Sequence, residues 1–264
     1  MPKMKVNDAR IYYEIRGEGF PLVMINGLGR NSDDWDPRLV EELSRQFKLV
    51  IFDNRGAGRT DISDREYTIR LFADDTAGLM ESLGISKAHV LGLSMGGMVA
   101  QELVLNCPEK VSKLILCSTH TGGLNVVQPS KEVIRMLAAG VSIVSKDEWR
   151  RIFLPLMFTS DFIEKNPDFV EIVVQRFFRH PISREAYTRQ LIAIQDFNVH
   201  DKLQRIEVPT LILHGRKDVL IPPENGSILA DAIPKAKLVY FENSAHVLAE
   251  EMREVLSTLT DFLT

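Results

Sequence analysis

Short runs rich in Val, Ile and Leu recur along the chain between turn-forming and polar residues: P-L-V-M-I-N from Pro21, K-L-V-I-F-D from Lys48, A-H-V-L-G-L from Ala88, K-L-I-L-C-S from Lys113, T-L-I-L-H-G from Thr210 and K-L-V-Y-F-E from Lys237. A strand with one wet face alternates apolar and polar positions. Runs that are apolar throughout read as strands buried on both faces, the pattern of a parallel sheet. Between them the period lengthens to that of a helix. Residues 32–46 carry Trp35, Leu39, Val40 and Leu43 at helical spacing, with Ser32 as the expected N-cap. Residues 68–83 start at Thr68, stop before Gly84 and place Leu71, Phe72, Leu79, Met80 and Leu83 on one face. A third helix runs from Ser94 to Asn106 and is stopped by Pro108. The first stretch reads as a hairpin turning at Asn7-Asp8, so an antiparallel edge precedes the parallel part. Alternation of strands and helices makes this an α/β chain.

From about Gly122 to Arg205 the strand signals stop, and segments such as D-E-W-R-R-I-F and D-F-V-E-I-V-V-Q-R-F-F keep helical spacing. The expectation is a helical insertion, residues 122–205, between core segments 1–121 and 206–264. Its Phe, Met and Leu side chains either pack on the sheet or form a lid over a pocket.

Composition narrows the function classes. With 32 Lys+Arg against 36 Asp+Glu, the 264-residue chain has a formal charge of −4 and lacks the basic stripe of a nucleic-acid binder. At 45% hydrophobic and 26% charged residues it is an ordinary globular chain, long enough for one well-buried core. The amino terminus is charged, and no apolar run approaches the roughly 18 residues of a membrane span. A cytoplasmic location without a membrane span is expected. Cys107 and Cys117 have no metal-ligand spacing and read as core thiols.

The strongest chemical signal is V-L-G-L-S-M-G-G-M-V-A at 90–100, a buried strand running through G-x-S-x-G into a helix. The bare pattern turns up by chance in roughly one chain in ten of this length. Its strand and helix context is far rarer. A strained strand-to-helix turn exposes the serine hydroxyl, and Gly92 and Gly96 leave room for close backbone approach. Ser94 is the candidate nucleophile. A serine hydroxyl needs a base within hydrogen-bond reach and a third group to orient that base. Asp218, in the loop after T-L-I-L-H-G, and His246, past K-L-V-Y-F-E, supply them in the order Ser, Asp, His. Both fall at carboxyl ends of expected parallel strands, where an open α/β sheet carries its function. The oxyanion hole is expected from the backbone N–H groups of Met95 and Leu28. Leu28, Val219 and Val247 are candidate substrate contacts. His120 could approach the site. His89 and His214 read as hydrogen-bonded core or pocket-edge groups, and His180 and His200 as lid or surface residues.

These pieces resemble the α/β-hydrolase fold superfamily over essentially the whole chain. The matching stretches are N-G-L-G at 26–29, D-N-R-G-A-G-R-T at 53–60, G-L-S-M-G-G at 92–97, G-R-K-D at 215–218 and N-S-A-H at 243–246. Two positions depart: Asn26 stands where the family commonly has His, and Thr60 where it commonly has Ser. Within the superfamily the chain looks most like small carboxylesterases and 3-oxoadipate enol-lactonases. The resemblance implies a mostly parallel eight-stranded sheet with helices on both faces and a helical lid. It also implies a cofactor-free, metal-free serine hydrolase acting on a small-molecule ester or lactone. Haloalkane dehalogenases and epoxide hydrolases are disfavoured, because their nucleophile position holds Asp where this chain has Ser94. C–C bond hydrolysis, perhydrolysis or acyl transfer, and a ligand receptor on the same fold stay open, as does a homodimer.

Overall fold

The computed structural model describes residues 2–140 and 145–264. Its strands are β1 (Lys3–Val6), β2 (Ala9–Arg16), β3 (Phe20–Ile25), β4 (Phe47–Phe52), β5 (Ala88–Leu93), β6 (Val111–Cys117), β7 (Thr210–Gly215) and β8 (Ala236–Phe241). They form one eight-stranded sheet in the order β1-β2-β4-β3-β5-β6-β7-β8. β1 and β2 make the expected hairpin, with Asn7 at φ 52° in its turn. β2 runs antiparallel to β4, and every later pairing is parallel.

Two-residue periodicity divides each buried strand between two cores. Val23 and Ile25 of β3, Val90 of β5 and Ile212 of β7 face α2 (Ile69–Ser82), α3 (Met95–Asn106) and α9 (Glu224–Ala232). Leu22 and Met24, Leu91, and Leu211 and Leu213 on the same strands face α1 (Pro37–Ser44) and α10 (Met252–Leu263). Both faces are covered, which is why the strands are apolar throughout.

Thr68 caps α2 as expected, its hydroxyl accepting from Leu71 N–H, and Gly84 ends that segment at φ 68°. The single helix expected over 32–46 is instead a 3-10 turn, Ser32–Asp34, followed by α1. Ser32 is not its cap: Asn31 caps the turn and Asp36 caps α1. Pro37 is the cause. It pushes Asp36 into an extended conformation and fits the first position of a helix, not its interior.

Between β6 and β7 lie α4 (Lys131–Ala139), α5 (Lys146–Met157), α6 (Ser160–Lys165), α7 (Pro167–Arg179) and α8 (Arg184–Gln195). Residues 141–144 of the expected insertion lie outside the described residues. Trp149, Phe153, Leu156, Val174 and Tyr187 pack there into an apolar cluster that also takes in Leu220 and Ile221 from the loop after β7. Among the described residues no helix is long and apolar enough to cross a membrane.

Candidate active site

β3 lies between β4 and β5, so connections leave its neighbourhood in opposite directions and open a crevice at the carboxyl ends of the strands. Ser94 sits there, between β5 and α3, at φ 57° and ψ −120°. A non-glycine residue pays for that conformation, and the surroundings enforce it. Ser94 N–H donates to the Cys117 carbonyl at 2.9 Å, extending the sheet ladder by one residue. Its own carbonyl accepts from Gly97 N–H at 2.9 Å and from Thr119 Oγ1 at 2.8 Å. Gly92 and Gly96 are spatial necessities: a Cβ on Gly92 would lie 2.2 Å from the Gly96 carbonyl oxygen, and one on Gly96 2.0 Å from that of Ile25.

The loop after β3 faces this turn. Asn26, buried where the resemblance leads one to expect His, accepts from Gly27 N–H through Oδ1 and donates to the Asn31 carbonyl through Nδ2, both at 2.9 Å. Gly29 N–H donates to Gln190 Oε1 at 2.8 Å and Arg30 N–H to the Gly27 carbonyl at 3.2 Å. The Leu28 amide between them has no hydrogen-bond partner among the described residues. Met95 opens α3, where the first N–H groups have no intrahelical acceptor. The second departure, Thr60, keeps its chemistry, since its hydroxyl donates to the Asp53 carbonyl and accepts from Tyr12 N–H.

Asp218 is buried in the loop after β7. Its Oδ1 accepts from Leu220 and Ile221 N–H at 2.9 Å each, and its Oδ2 meets His246 Nδ1 at 2.8 Å. The loops carrying Asp218 and His246 are tied by Arg216 N–H on the Phe241 carbonyl and Lys217 N–H on the Ser244 carbonyl. Burial pushes the Asp218 carboxyl up, but His246 and His214 beside it outweigh burial and hold it down at about 2. An ionised carboxylate only accepts, so His246 Nδ1 is the donor in this bond.

His214, expected as a hydrogen-bonded core or pocket-edge group, is buried and bonds the Ile221 carbonyl through Nε2 at 2.9 Å, with Asp218 Oδ2 3.4 Å away. His120 does reach the site, in the wall of the cavity, with Nδ1 accepting from Gly122 N–H. Burial, reinforced by His214, lowers it to about 4. His89 is buried against the rings of Phe20 and Phe47, and its Nδ1 has no hydrogen-bond partner among the described residues. Cys117 is buried and Cys107 only half-buried; neither forms a disulfide.

Ser94, His246, Leu28 and Val247 all open on a cavity of about 480 Å³, walled also by Leu93, Phe153, Met157, Phe158, Leu191 and Ile221. Val219 does not. It is 49% exposed, and Leu220 and Ile221 take the place expected for it, because the two hydrogen bonds to Asp218 Oδ1 turn those residues inward. Met95 lies buried in the core and is not among the residues that wall the cavity. Among the described residues no group of three or more His, Cys, Asp or Glu side chains converges as metal ligands do.

Residues 21–251 match the family model described as alpha/beta hydrolase fold. The chain belongs to that family. Relatives of this alpha/beta hydrolase include the RutD protein of Azorhizobium caulinodans, named a carbamate hydrolase, 27% identical over 98% of this chain and 96% of that one. The BpoC protein of Mycobacterium tuberculosis, named a non-heme bromoperoxidase, is 31% identical over 93% of this chain and 94% of its own. The crystal structure of the enol-lactonase from Burkholderia xenovorans LB400 superposes with a TM-score of 0.88 at 28% identity, covering 99% of both chains. The protein is thus a hydrolase-fold enzyme with hydrolases among its relatives.

Proposed function

We propose that this hydrolase cleaves a carboxylic ester of small to medium acyl chain through an acyl-enzyme on Ser94. The reading rests chiefly on one observation: His246, bonded to the buried Asp218 at 2.8 Å, lines one cavity with a serine held at φ 57°. In the proposed cycle Ser94 Oγ attacks the ester carbonyl carbon and gives its proton to His246 Nε2. The oxyanion that forms is met by the Leu28 and Met95 amides, and Asp218 stabilises the imidazolium. The tetrahedral adduct collapses, the C–O bond to the alcohol breaks, and His246 returns the proton to the leaving oxygen. Water then attacks the acyl-enzyme by the same route in reverse roles, releasing the acid and restoring the serine hydroxyl. The helices of residues 122–205 act in this account as a lid whose apolar side chains size the acyl group, over a core of 1–121 and 206–264.

A lactone substrate is a second reading, favoured by the identity with the Burkholderia enol-lactonase over both full chains. The test is hydrolysis of p-nitrophenyl esters from acetate to decanoate beside a panel of lactones, with Ser94→Ala as control. An optimum at short to medium esters that falls by several orders of magnitude in Ser94→Ala supports the main reading. Activity confined to lactones selects the second. Retention of a tenth of the activity in Ser94→Ala overturns both.

A further inference from the structure

The helical insertion reaches the loop after β3 through one side chain. Gln190 of α8 is completely buried, accepts from Gly29 N–H through Oε1 at 2.8 Å and donates through Nε2 to the Arg55 carbonyl at 3.1 Å. Both partners lie more than 130 residues away in sequence. The Arg55 end is rigid, because its guanidinium is itself buried and gripped by both oxygens of Asp75 at 2.8 and 2.7 Å. The same helix presses on the loops at two glycines. A Cβ on Gly29 would meet the Tyr187 ring at 3.2 Å, and one on Gly56 would meet the Ala186 Cβ at 2.8 Å.

The loop's peptide planes show what this contact does. The Asn26–Gly27 plane is held at its N–H by Asn26 Oδ1 and at its carbonyl by Asn54 Nδ2, and the Gly27–Leu28 plane by Arg30 N–H on the Gly27 carbonyl. The Leu28–Gly29 plane is held from outside, by Gln190. Gly29 sits at φ 68° with no side chain of its own to resist rotation, so without Gln190 that plane is free to turn in search of another acceptor. That plane adjoins, through the Leu28 Cα, the Gly27–Leu28 plane that carries the Leu28 N–H, so turning it pulls on an amide whose own plane has, among the described residues, only the Arg30 N–H to hold it.

We propose that Gln190 is a positioning residue: from the helical insertion it fixes the loop that presents the Leu28 N–H to the reacting carbonyl, making the insertion part of the catalytic apparatus as well as a cover. This rests on the acyl-transfer reading above. Its mark is a defect in the transition state and not in substrate capture. Losing an oxyanion donor outright costs about 10²–10³-fold in rate, and misplacing one costs about 10- to 100-fold.

The test compares wild type, Gln190→Met, Gln190→Glu and Thr188→Ala, the last a half-buried neighbour on α8 that does not wall the cavity, on the best p-nitrophenyl ester. Phenylboronic acid serves as a probe that forms a tetrahedral adduct on an active serine. Activity of the wild type and its loss in Ser94→Ala check the underlying reading first and separately. Gln190→Met is expected to lower kcat by about 10- to 100-fold with KM changed less than about 3-fold, and to weaken phenylboronic acid by a similar factor. Gln190→Glu keeps an acceptor for Gly29 N–H, and burial favours its protonated form, whose O–H replaces the donation to Arg55. It is expected within a few-fold of wild type, and Thr188→Ala to match it. The proposal is overturned if folded Gln190→Met keeps kcat within about twofold of wild type. It is equally overturned if the loss tracks only the folded fraction with inhibitor affinity intact, or if Gln190→Glu is as impaired as Gln190→Met.

Discussion

Replacing Gly96 by alanine sets two effects of opposite sign against each other. Gly96 lies in the first turn of α3, where alanine is the better helix former by about 1 kcal/mol. The new Cβ, however, would stand 2.0 Å from the Ile25 carbonyl oxygen and 2.6 Å from its carbon. Both are backbone atoms of β3, so no rotamer change relieves the clash. The turn and β3 must part by about 1 Å to bring the contact to tolerable range. Overpacking of this kind costs about 1–3 kcal/mol, leaving a net loss of at most about 2 kcal/mol after the gain in helix propensity. For a chain of this size that lowers Tm by no more than about 8 °C. The rate suffers more. The displaced strand carries the Leu28 loop and the displaced turn carries Ser94, so their separation opens where geometry matters most. A misplacement of about 1 Å costs about 10²-fold, or about 2.7 kcal/mol of barrier. Gly84→Ala is the control: φ there is 68° with nothing within 4 Å, so it should lose about 1–2 kcal/mol of stability and no activity. Ester hydrolysis and thermal melts on both variants decide the matter. Gly96→Ala with more than half the wild-type rate would refute the reasoning.

Other outcomes follow from the same geometry. Asp218→Asn should leave His246 without a carboxylate and lower kcat by about 10⁴-fold in a folded protein; a nearly silent change would place the orienting acid elsewhere. His89 and His120 are held at about 4 by burial, with Lys113 adding to the effect on His89 and His214 on His120. The unfolded chain therefore binds more protons, and stability should fall as pH drops from 6.5 towards 4. Denaturant melts at pH 7.5 and 5 should show a smaller drop for His89→Leu than for wild type, and equal drops would contradict the assignment. Asp218 acts lower. Held at about 2 against an ordinary 3.8, it contributes stability that is complete above 3.8 and lost as pH falls through 2, so Asp218→Asn should flatten that limb of the acid melt. Val219→Ser should leave the acyl-chain preference unchanged, whereas Ile221→Ala should shift it towards longer chains.

What was legible in the sequence has a common physical root. Strands buried on both faces have no polar alternation, and the turn at Ser94 needs glycines at fixed offsets, so both leave local marks. That Asp218 and His246 follow β7 and β8 is legible because strand ends announce themselves; that they bond each other is seen only in the fold. The break at Pro37 was equally local, but the apolar spacing of Trp35, Leu39 and Leu43 runs across it and mimics one helix. Val219 was misplaced because the turn after Asp218 is set by side-chain-to-backbone bonds that reverse the inward face. Gln190 left no mark at all: a glutamine in a helix looks like any surface residue until the fold brings Gly29 and Arg55 to it. His214 reads from the sequence as a hydrogen-bonded core or pocket-edge group, but its approach to Asp218 depends on how the chain turns after β7.

The central claim is that His246 activates Ser94. Labelling with an alkyl fluorophosphonate, read by intact mass and by peptide fragmentation, tests it most directly. The account predicts one adduct per chain, on Ser94, formed in step with loss of activity and slowed by orders of magnitude in His246→Ala. No adduct on folded, active protein, an adduct on another residue, or labelling indifferent to His246 would contradict it.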